Sequence, residues 1–254
     1  MGYAASEIER CSSHDHGVVR WEKNTRSVRP ERLGDHETME TPRTLVSQPE
    51  KYWDRLFTPG GHAGVITTVD HEGRVNAASY ATCVRIVHNP VQIAFTTNPK
   101  GHTAANILAT GQFVVNLPSF LPDHLEKVRV VGLPFAAGVN ELEKAGLQEI
   151  PSVVVRPPRI ADFLRHFECE IVWTKEWLNR MMVVGNVVAA STYSDCVTQK
   201  GYVVWDKVKP VAFCGAPYVN MFVGATDPFA ADMVYDGPEV SLGDQSVRSY
   251  FEDM

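Results

Sequence analysis

The sequence predicts a mainly β domain with a few short helices, arranged around a barrel. Short runs rich in β-branched and aromatic residues recur along the chain and end at Gly, Pro or Asn, which is typical of strands joined by turns. Side chains in residues 167–175 alternate roughly between two faces, as they do in a barrel strand. The chain contains no Gly-x-Gly-x-x-Gly motif, and its many short strands also disfavour a doubly wound dinucleotide-binding sheet.

Turn residues place the individual elements. Residues 70–73 form a hairpin turn in which Gly73 supplies the positive φ that such turns need. A helix begins near Thr103 and ends at Gly111. We predict strands at residues 62–69, 74–80, 91–95, 113–117, 167–175, 181–191, 202–205 and 211–213, and further helices at residues 53–57, 123–131 and 140–146.

Three regions of the chain differ in composition. Residues 1–48 mix charges of both signs without apolar periodicity, and we interpret them as an irregular N-terminal extension or a strap over the surface. Residues 49–225 hold the predicted strands and helices and form the barrel domain. Residues 226–254 are acidic and poor in periodic apolar residues, which predicts a solvated tail or an arm that wraps a second subunit.

Composition argues against several classes of protein. A formal net charge of −6 disfavours nucleic-acid binding, which needs a basic face. Five scattered cysteines without a Cys-x-x-Cys motif indicate reduced thiols, not a disulfide framework or a zinc site. His14-Asp15-His16 lacks a third spaced ligand, so we expect no metal site. The chain has neither an apolar run of membrane-spanning length nor a hydrophobic signal core, and we expect a cytoplasmic protein.

The loop that precedes the central helix is rich in hydrogen-bond donors. The first N–H groups of a helix lack intrahelical partners, and its dipole favours negative charge there. Lys100 adds a positive charge and Thr103 adds a hydroxyl, so the loop suits a phosphate. The alternative is an ordinary loop in which Lys100 is solvated and Thr103 only caps the helix.

An ordered series of motifs surrounds this loop. It comprises Asn-x-Ala-Ser-aromatic at residues 76–80, Pro90, Lys100 with Thr103, Asn106-Ile107, residues 110–118, and later residues 138–147, 158–170 and 184–188. In this order, residues 59–220 resemble the flavin reductase-like family, which includes flavoredoxins and the reductase components of two-component monooxygenases. Residues 87–90 depart from the Ser and Pro pair of many relatives, so no family role is transferred to His88 and Asn89.

The resemblance implies an FMN-binding split β-barrel. Its expected cofactor-binding residues are mostly small or polar: Asn76, Ala78, Ser79, Tyr80, Thr82, Cys83, Thr96, Thr97, Asn98, Lys100, His102, Thr103, Asn106 and Tyr218. Lys100 and Thr103 would hold the phosphate, the polar residues of the loop would hold the ribityl chain, and backbone N–H groups near Ser79 would approach the isoalloxazine. For three of these residues a structural role is an alternative, since Cys83 is favoured as a small buried side chain, Asn76 suits a turn, and Tyr80 suits the core.

The family resemblance also implies a reaction. An NAD(P)H-dependent flavin reductase transfers hydride from NADH or NADPH to N5 of the flavin, and it needs position more than a side-chain acid or base. We therefore name no catalytic residue, and we expect a homodimer. Two alternatives stay open: a non-enzymatic, flavoredoxin-like electron carrier, and a divergent flavoenzyme that acts on a small organic substrate. The partner would be a monooxygenase or an electron-transfer protein.

Overall fold

The structure is a computed structural model that describes residues 45–50, 53–214, 222–225, 241–242 and 245–246. Nearly all of the predicted N-terminal extension and most of the predicted acidic tail lie outside these residues, so both boundaries remain predictions. Among the described residues, no helix combines the length and the apolar character that crossing a membrane requires.

The described part of the chain contains twelve strands and five α-helices. The strands are β1 (His62–Val69), β2 (Val75–His88), β3 (Val91–Thr97), β4 (Gln112–Leu117), β5 (Glu149–Ile150), β6 (Arg159–Ile160), β7 (Arg165–Trp177), β8 (Arg180–Thr192), β9 (Val211–Phe213), β10 (Phe222–Gly224), β11 (Ser241–Leu242) and β12 (Gln245–Ser246). The helices are α1 (Trp53–Leu56), α2 (His102–Thr110), α3 (Pro122–Val131), α4 (Glu141–Ala145) and α5 (Trp205–Val208).

Six antiparallel strands close into a barrel in the order β1-β2-β3-β8-β7-β4, with β4 returning to β1. The closing contact pairs Val65 with Asn116 and Ile66 with Val115. The buried Asn116 amide reinforces it, because Nδ2 donates to the Val65 carbonyl at 3.1 Å and Oδ1 accepts from the Ile160 N–H at 3.0 Å. The predicted mainly β barrel with a few short helices is confirmed.

The β1–β2 hairpin follows the sequence pattern closely. Gly73 has a φ of 84°, and the Asp70 carboxylate accepts from the N–H groups of Glu72 and Arg74, both at 2.9 Å. Strand β2 continues past the predicted end at Tyr80 as far as His88, because its second half pairs with β3. One long strand therefore contributes to both ends of the barrel.

Helix α2 fills one end of the barrel. Its Ala104 and Ile107 side chains are fully buried against Ile66, Phe95 and other interior residues from β3, β4 and β8. Leu108, which shares their helical spacing, is instead 57% exposed. Gly111 ends the helix in the left-handed conformation that the sequence predicts, with a φ of 71°.

A second apolar layer covers the outer face of β1 and β2. Val65 and Ala77 point away from the barrel interior and pack with Val128 of α3, Leu142 of α4 and the buried Phe163. Alternation along the strands produces this arrangement, because neighbouring residues such as Val65 and Ile66 face opposite sides of the sheet. Helices α3 and α4 are thereby held against the first half of β2.

A buried carboxylate holds the irregular connection between β5 and β6. Glu168 on β7 is 1% exposed and accepts hydrogen bonds from the N–H groups of Val153, Val154 and Val155 at 2.7–3.2 Å. Burial opposes ionisation, but these donors and the nearby Arg159 outweigh it and lower the pKa of the Glu168 carboxyl. Residues 153–155 pair with no described strand, so the Glu168 carboxylate accepts the hydrogen bonds that their backbone N–H groups would otherwise lack.

The predicted strand at residues 202–205 is wrong. Val203 forms only an isolated bridge to Val197, and the Val204 carbonyl accepts from the N–H groups of Lys207 and Val208. That pair of bonds begins α5 at Trp205, so the β-branched run is too short to pair before the chain turns.

Gly185 on β8 lies against the Phe113 ring in the barrel interior. A Cβ at this position would come within 2.6 Å of Phe113 Cζ and 3.1 Å of Cys169 Cβ. We predict that Gly185→Ala lowers the free energy of unfolding by about 1–3 kcal/mol, because the added methyl overpacks the core. Urea denaturation measures this loss. The double variant Gly185→Ala/Phe113→Leu should lose less than the sum of the two single losses, and strict additivity would contradict the proposed clash.

His166 on β7 supplies a second test of the core. The ring is 3% exposed, with Nε2 at 2.8 Å from the Ile160 carbonyl and Nδ1 at 3.2 Å from Ser191 Oγ. Burial, and next the charge of Arg159, lower the pKa of His166 below its ordinary value of 6.5, against the opposing effect of its hydrogen bonds. The unfolded chain therefore binds more protons just below pH 6.5.

We predict that His166 lowers the free energy of unfolding as the pH falls below 6.5 towards the pKa of His166 in the folded state. Urea denaturation of the parent chain and of His166→Gln, at about pH 7.5 and about pH 5.5, measures the effect. The variant should be less stable at the higher pH but should lose less stability on acidification. An equal acid-induced loss in both chains would show that His166 titrates identically in the folded and unfolded states.

Candidate functional site

A cleft of about 450 Å³ lies between the first half of β2, the end of β3, the start of α2 and the segment after α3. Its lining includes these predicted site residues: Asn76, Ala78, Ser79, Tyr80, Thr82, Thr96, Thr97, Asn98, His102 and Thr103. The barrel brings them together because β2 and β3 are hydrogen-bonded neighbours and β3 leads directly into the α2 loop.

Four predicted site residues do not line this cleft. Lys100 is exposed at the tip of the adjoining loop, and Asn106 lies on α2, where Nδ2 donates to Thr68 Oγ1 at 3.0 Å. Cys83 belongs to the barrel interior, where burial raises the pKa of its thiol to about 12, as expected for a small buried side chain. Tyr218 lies outside the described residues.

The start of α2 faces the cleft without a side-chain cap. The N-cap residue is Gly101, in an extended conformation, and no acidic side chain occupies the first turn. The Asn98 side chain shapes the approach, because Oδ1 accepts from the Lys100 N–H at 3.0 Å while the Asn98 carbonyl accepts from Gly101 at 3.0 Å. An uncapped helix start of this kind attracts an anion.

A network of hydroxyl and amide groups fixes the floor of the cleft. Asn76 Nδ2 donates to Thr103 Oγ1 at 3.2 Å and to Thr68 Oγ1 at 3.3 Å, and Thr68 also accepts from the Asn106 amide. Thr103 accepts from Asn76 and also hydrogen-bonds with the Tyr80 hydroxyl, so donation from Thr103 to a ligand would replace the contact with Tyr80. These contacts tie β1, β2 and α2 to one another.

Tyr80 joins the cleft to the core. Its ring lies 5.0 Å from that of Phe95, and its hydroxyl is 2.9 Å from Thr97 Oγ1. Burial raises the pKa of the Tyr80 phenol, against the opposing effect of hydrogen bonds from Thr103 and Thr97. Tyr80 is therefore a neutral hydrogen-bonding group at neutral pH.

Small residues form the wall of the cleft along β2. Ala77, Ala78, Ser79 and Ala81 leave the strand backbone close to the open space. Opposite them, a Cβ on Gly132 would lie 2.6 Å from Ser79 Oγ, so any larger residue there would close the gap. The wall accommodates a flat group near the backbone.

Several contributors to the cleft are absent from the predicted site residues. Besides Ala81 and Gly101, they include the buried Glu141, the exposed Arg180 at the β7–β8 turn, and residues 131–135 at the end of α3 and just after it. The Glu141 carboxylate accepts from the Ala77 N–H at 2.9 Å and so fixes α4 to the wall. Asn140 predicts the start of α4 and so places Glu141 in its first turn. No local sequence pattern predicts that this turn contacts β2.

A second cavity of about 510 Å³ continues from the first along β2. The two share Ser79, Tyr80, Ala81, Gly132 and Leu133, and the second adds Arg129 and Phe213. Phe213 packs edge-to-face on Phe222 with ring centroids 5.4 Å apart, which gives this space an aromatic wall. A planar ligand in the first cleft would therefore have room for a second molecule beside it.

The cleft fits a flavin mononucleotide in the chemistry of its lining. The uncapped α2 start suits a phosphate, the hydroxyls of Thr96, Thr97 and Thr103 suit a polyol chain, and the small-residue wall suits a flat ring. Among the described residues, no group of three or more His, Cys, Asp or Glu side chains could hold a metal ion.

Comparisons with known proteins support a flavin cofactor. The sequence profile described as flavin reductase like domain matches residues 60–211. The 2-nitrobenzoate 2-nitroreductase NbaA of Pseudomonas fluorescens is 26% identical, with a TM-score of 0.64 over 80% of this chain and 100% of that chain.

Two further solved structures share the fold. Nitrilotriacetate monooxygenase component B from Bacillus cereus is 20% identical, with a TM-score of 0.63 over 75% of this chain and 100% of that chain. Flavoredoxin of Desulfovibrio vulgaris (Miyazaki F) is 19% identical, with a TM-score of 0.62 over 78% of this chain and 100% of that chain. The profile match spans more than half of the 254 residues, and the chain belongs to the flavin reductase-like family of flavin-related oxidoreductases.

Proposed function

We propose that this chain is an FMN-binding, NAD(P)H-dependent flavin reductase. The observation that carries the proposal is the uncapped start of α2, which opens onto a cleft lined by hydroxyls and by a wall of small residues. A helix start without a cap or an acidic residue in its first turn favours a phosphate, and the adjoining lining suits the remainder of FMN.

Each part of FMN has a proposed set of partners. The phosphate would accept from the first N–H groups of α2, from the Thr103 hydroxyl and from the Lys100 ammonium, which makes no ion pair within the described part of the chain. The ribityl hydroxyls would bond to Thr96, Thr97 and Asn98. His102 and Arg180 border the same space and would limit the access of water.

The main contribution of the protein would be to position the flavin and the nicotinamide, and acid–base catalysis by a side chain would matter less. Bound FMN would supply the hydride-accepting centre at N5. The backbone of Ala78 and Ser79 would hold the ring flat against β2, and the Ser79 N–H, which points away from β1, would stabilise negative charge near N1 and O2. Tyr80 keeps its proton because burial raises its pKa, so it serves as a hydrogen-bond donor or acceptor rather than a base.

The second cavity is the proposed place of the nicotinamide. It adjoins the first cleft through Ser79, Tyr80 and Leu133, so a molecule there would lie beside the ring plane. Its wall combines the Phe213–Phe222 aromatic pair with the cationic Arg129. The aromatic groups would contact a flat ring. The Arg129 guanidinium pairs with Glu126 in the free protein, and a phosphate would compete with that carboxylate for it.

A homodimer is the proposed assembly. Pairing registers place Val84, Ala94, Val184 and Trp173 in one row across β2, β3, β8 and β7 on the outside of the barrel. Val84 is 39% exposed and Trp173 is 43% exposed, so the two ends of the row present apolar surface that a second copy would bury. A monooxygenase that receives reduced flavin is the proposed partner of the enzyme.

Two other functions use the same cleft. A flavoredoxin-like carrier would retain FMN and exchange electrons with a protein. A divergent flavoenzyme would reduce a small organic molecule in the second cavity, and the 26% identity to a 2-nitrobenzoate 2-nitroreductase favours this candidate more than the carrier.

The first test is anaerobic reduction of the flavin-loaded protein. We expect NADH or NADPH to bleach the visible flavin band and the protein to turn over added free FMN many times. Retained FMN that is reduced but not exchanged would support the carrier. Reduction coupled only to a nitroaromatic acceptor would support the divergent enzyme. Failure to bind FMN at all would overturn the proposal.

The second test concerns the phosphate contacts. Thr103→Val removes one hydroxyl donor to a charged group and should weaken FMN binding about 10- to 100-fold. Lys100→Ala removes an exposed cation and should weaken binding by about fivefold or less, with an effect that shrinks at high salt. Flavin fluorescence quenching measures both dissociation constants. Lys200→Ala, which removes another exposed lysine, serves as the control, and unchanged FMN affinity in both test variants would place the phosphate elsewhere.

A further inference from the structure

None of the described residues closes the end of the barrel opposite α2. A cavity of about 710 Å³ enters there, and we call it the barrel mouth; it is lined by Pro59, Gly60, Gly61, His62, Cys83, Val84, Arg85, Val91, Ile93, Val115, Leu117, Arg165, Phe167 and Ala212. Several of these side chains belong to the barrel interior, including Ile93, Val115 and Leu117. The mouths of β-barrels are recurrent ligand sites, because their walls are apolar and already formed.

Every charged residue that lines the barrel mouth is basic. They are Arg85 and Arg165, with His62 beside them, and no carboxylate of the described part of the chain lines the cavity. Arg165 forms no ion pair with any described residue, and its Nε atom is buried without a hydrogen-bond partner among the described groups. A buried donor without a partner is costly, so its presence in an open cavity requires an explanation.

The guanidinium of Arg165 remains a cation despite its surroundings. Burial lowers its pKa to about 10, so it is protonated at neutral pH. Burial, and next the charge of Arg165, lower the pKa of His62, which is consistent with the two side chains lying near each other at the cavity. The positive charge is therefore concentrated on the two arginines.

The remaining wall is apolar. Val91, Ile93, Val115, Leu117 and Phe167 surround the space below the arginines, and the interior packing of the barrel fixes most of them in place. A ligand that satisfies this cavity needs an anionic end for Arg165 and a hydrocarbon body for the wall. A carboxylate matches the planar guanidinium in a bidentate arrangement.

The barrel mouth is separate from the cleft at α2. Strand β3 contributes Val91 and Ile93 to the mouth, but Thr96 and Thr97 to the cleft. Three residues of strand, from Ile93 to Thr96, span about 10 Å. Ligands could therefore occupy both sites together.

We propose that the barrel mouth binds a small amphipathic carboxylate, whose carboxylate group pairs with Arg165 and whose apolar body lies against Val91, Ile93 and Phe167. This site is independent of the flavin cleft and would remain even if the proposed reductase activity failed. The carboxylate supplies the partner that Arg165 lacks within the described part of the chain.

Hexanoate and its neutral analogue hexanamide are suitable probes, because they differ mainly in charge. Isothermal titration calorimetry on the full flavin-saturated chain should show tighter binding of hexanoate. From butanoate to hexanoate the affinity should rise roughly fourfold for each added methylene, as burial in an apolar wall requires. Arg165→Met should weaken hexanoate binding at least about tenfold and leave hexanamide binding nearly unchanged. Arg156→Met, which removes an exposed arginine elsewhere, should change neither.

Equal hexanoate affinity in the parent chain and Arg165→Met would overturn the proposal, as would the absence of hexanoate binding or a lack of preference over hexanamide. Val91→Phe keeps Arg165 and fills the apolar space at a partly exposed position. It should abolish hexanoate binding, and it decides the question if Arg165→Met does not fold. Hexanoate binding that survives Val91→Phe would likewise overturn the proposal. FMN affinity in each variant reports separately on the α2 cleft.

Discussion

Closure of the sheet between β1 and β4 is the constraint on which the other features depend. Because Val65 and Ile66 pair with Asn116 and Val115, the six strands enclose an interior and leave two ends. One end receives Ala104 and Ile107 of α2, and no described residue closes the other. The loop between β3 and α2 must then cross the rim, which brings the start of α2 beside the first half of β2. The cleft forms between this loop, the start of α2 and the first half of β2.

Much of this arrangement is encoded locally. A run of small and β-branched residues gives β1 its predicted bounds, His62–Val69. The turn at Gly73 and the helix end at Gly111 each need a left-handed conformation that favours glycine. Leu108 shows the limit of such patterns, because helical spacing cannot say how wide the buried stripe is where a helix enters a barrel. The segment at 202–205 shows another limit, since β-branched residues form a strand only where a partner strand is available.

The candidate site divides in the same way. Residues of the motif strand and the donor loop, from Asn76 to Thr103, meet because adjacent strands carry them. Glu141 and Arg180 reach the cleft through α4 packing and through the long β7–β8 hairpin, and neither path leaves a short-range signal in the sequence. Arg165 is similar: only the closed barrel shows that its strand position lies at a cavity where no described residue offers it an acidic partner.

Helix α2 has two roles that cannot be separated. Ala104 and Ile107 fill the barrel interior, while the first turn of the same nine-residue helix, with Thr103 in it, faces the cleft. An anion that binds at that turn stabilises the whole helix, and therefore the packing of Ala104 and Ile107 in the barrel. This is because the folded helix binds the anion and the unfolded chain does not. Thermodynamic linkage then makes the apparent melting temperature rise with ligand concentration. An anion bound at that turn would therefore be a structural component, and its loss would make the barrel more susceptible to proteolysis.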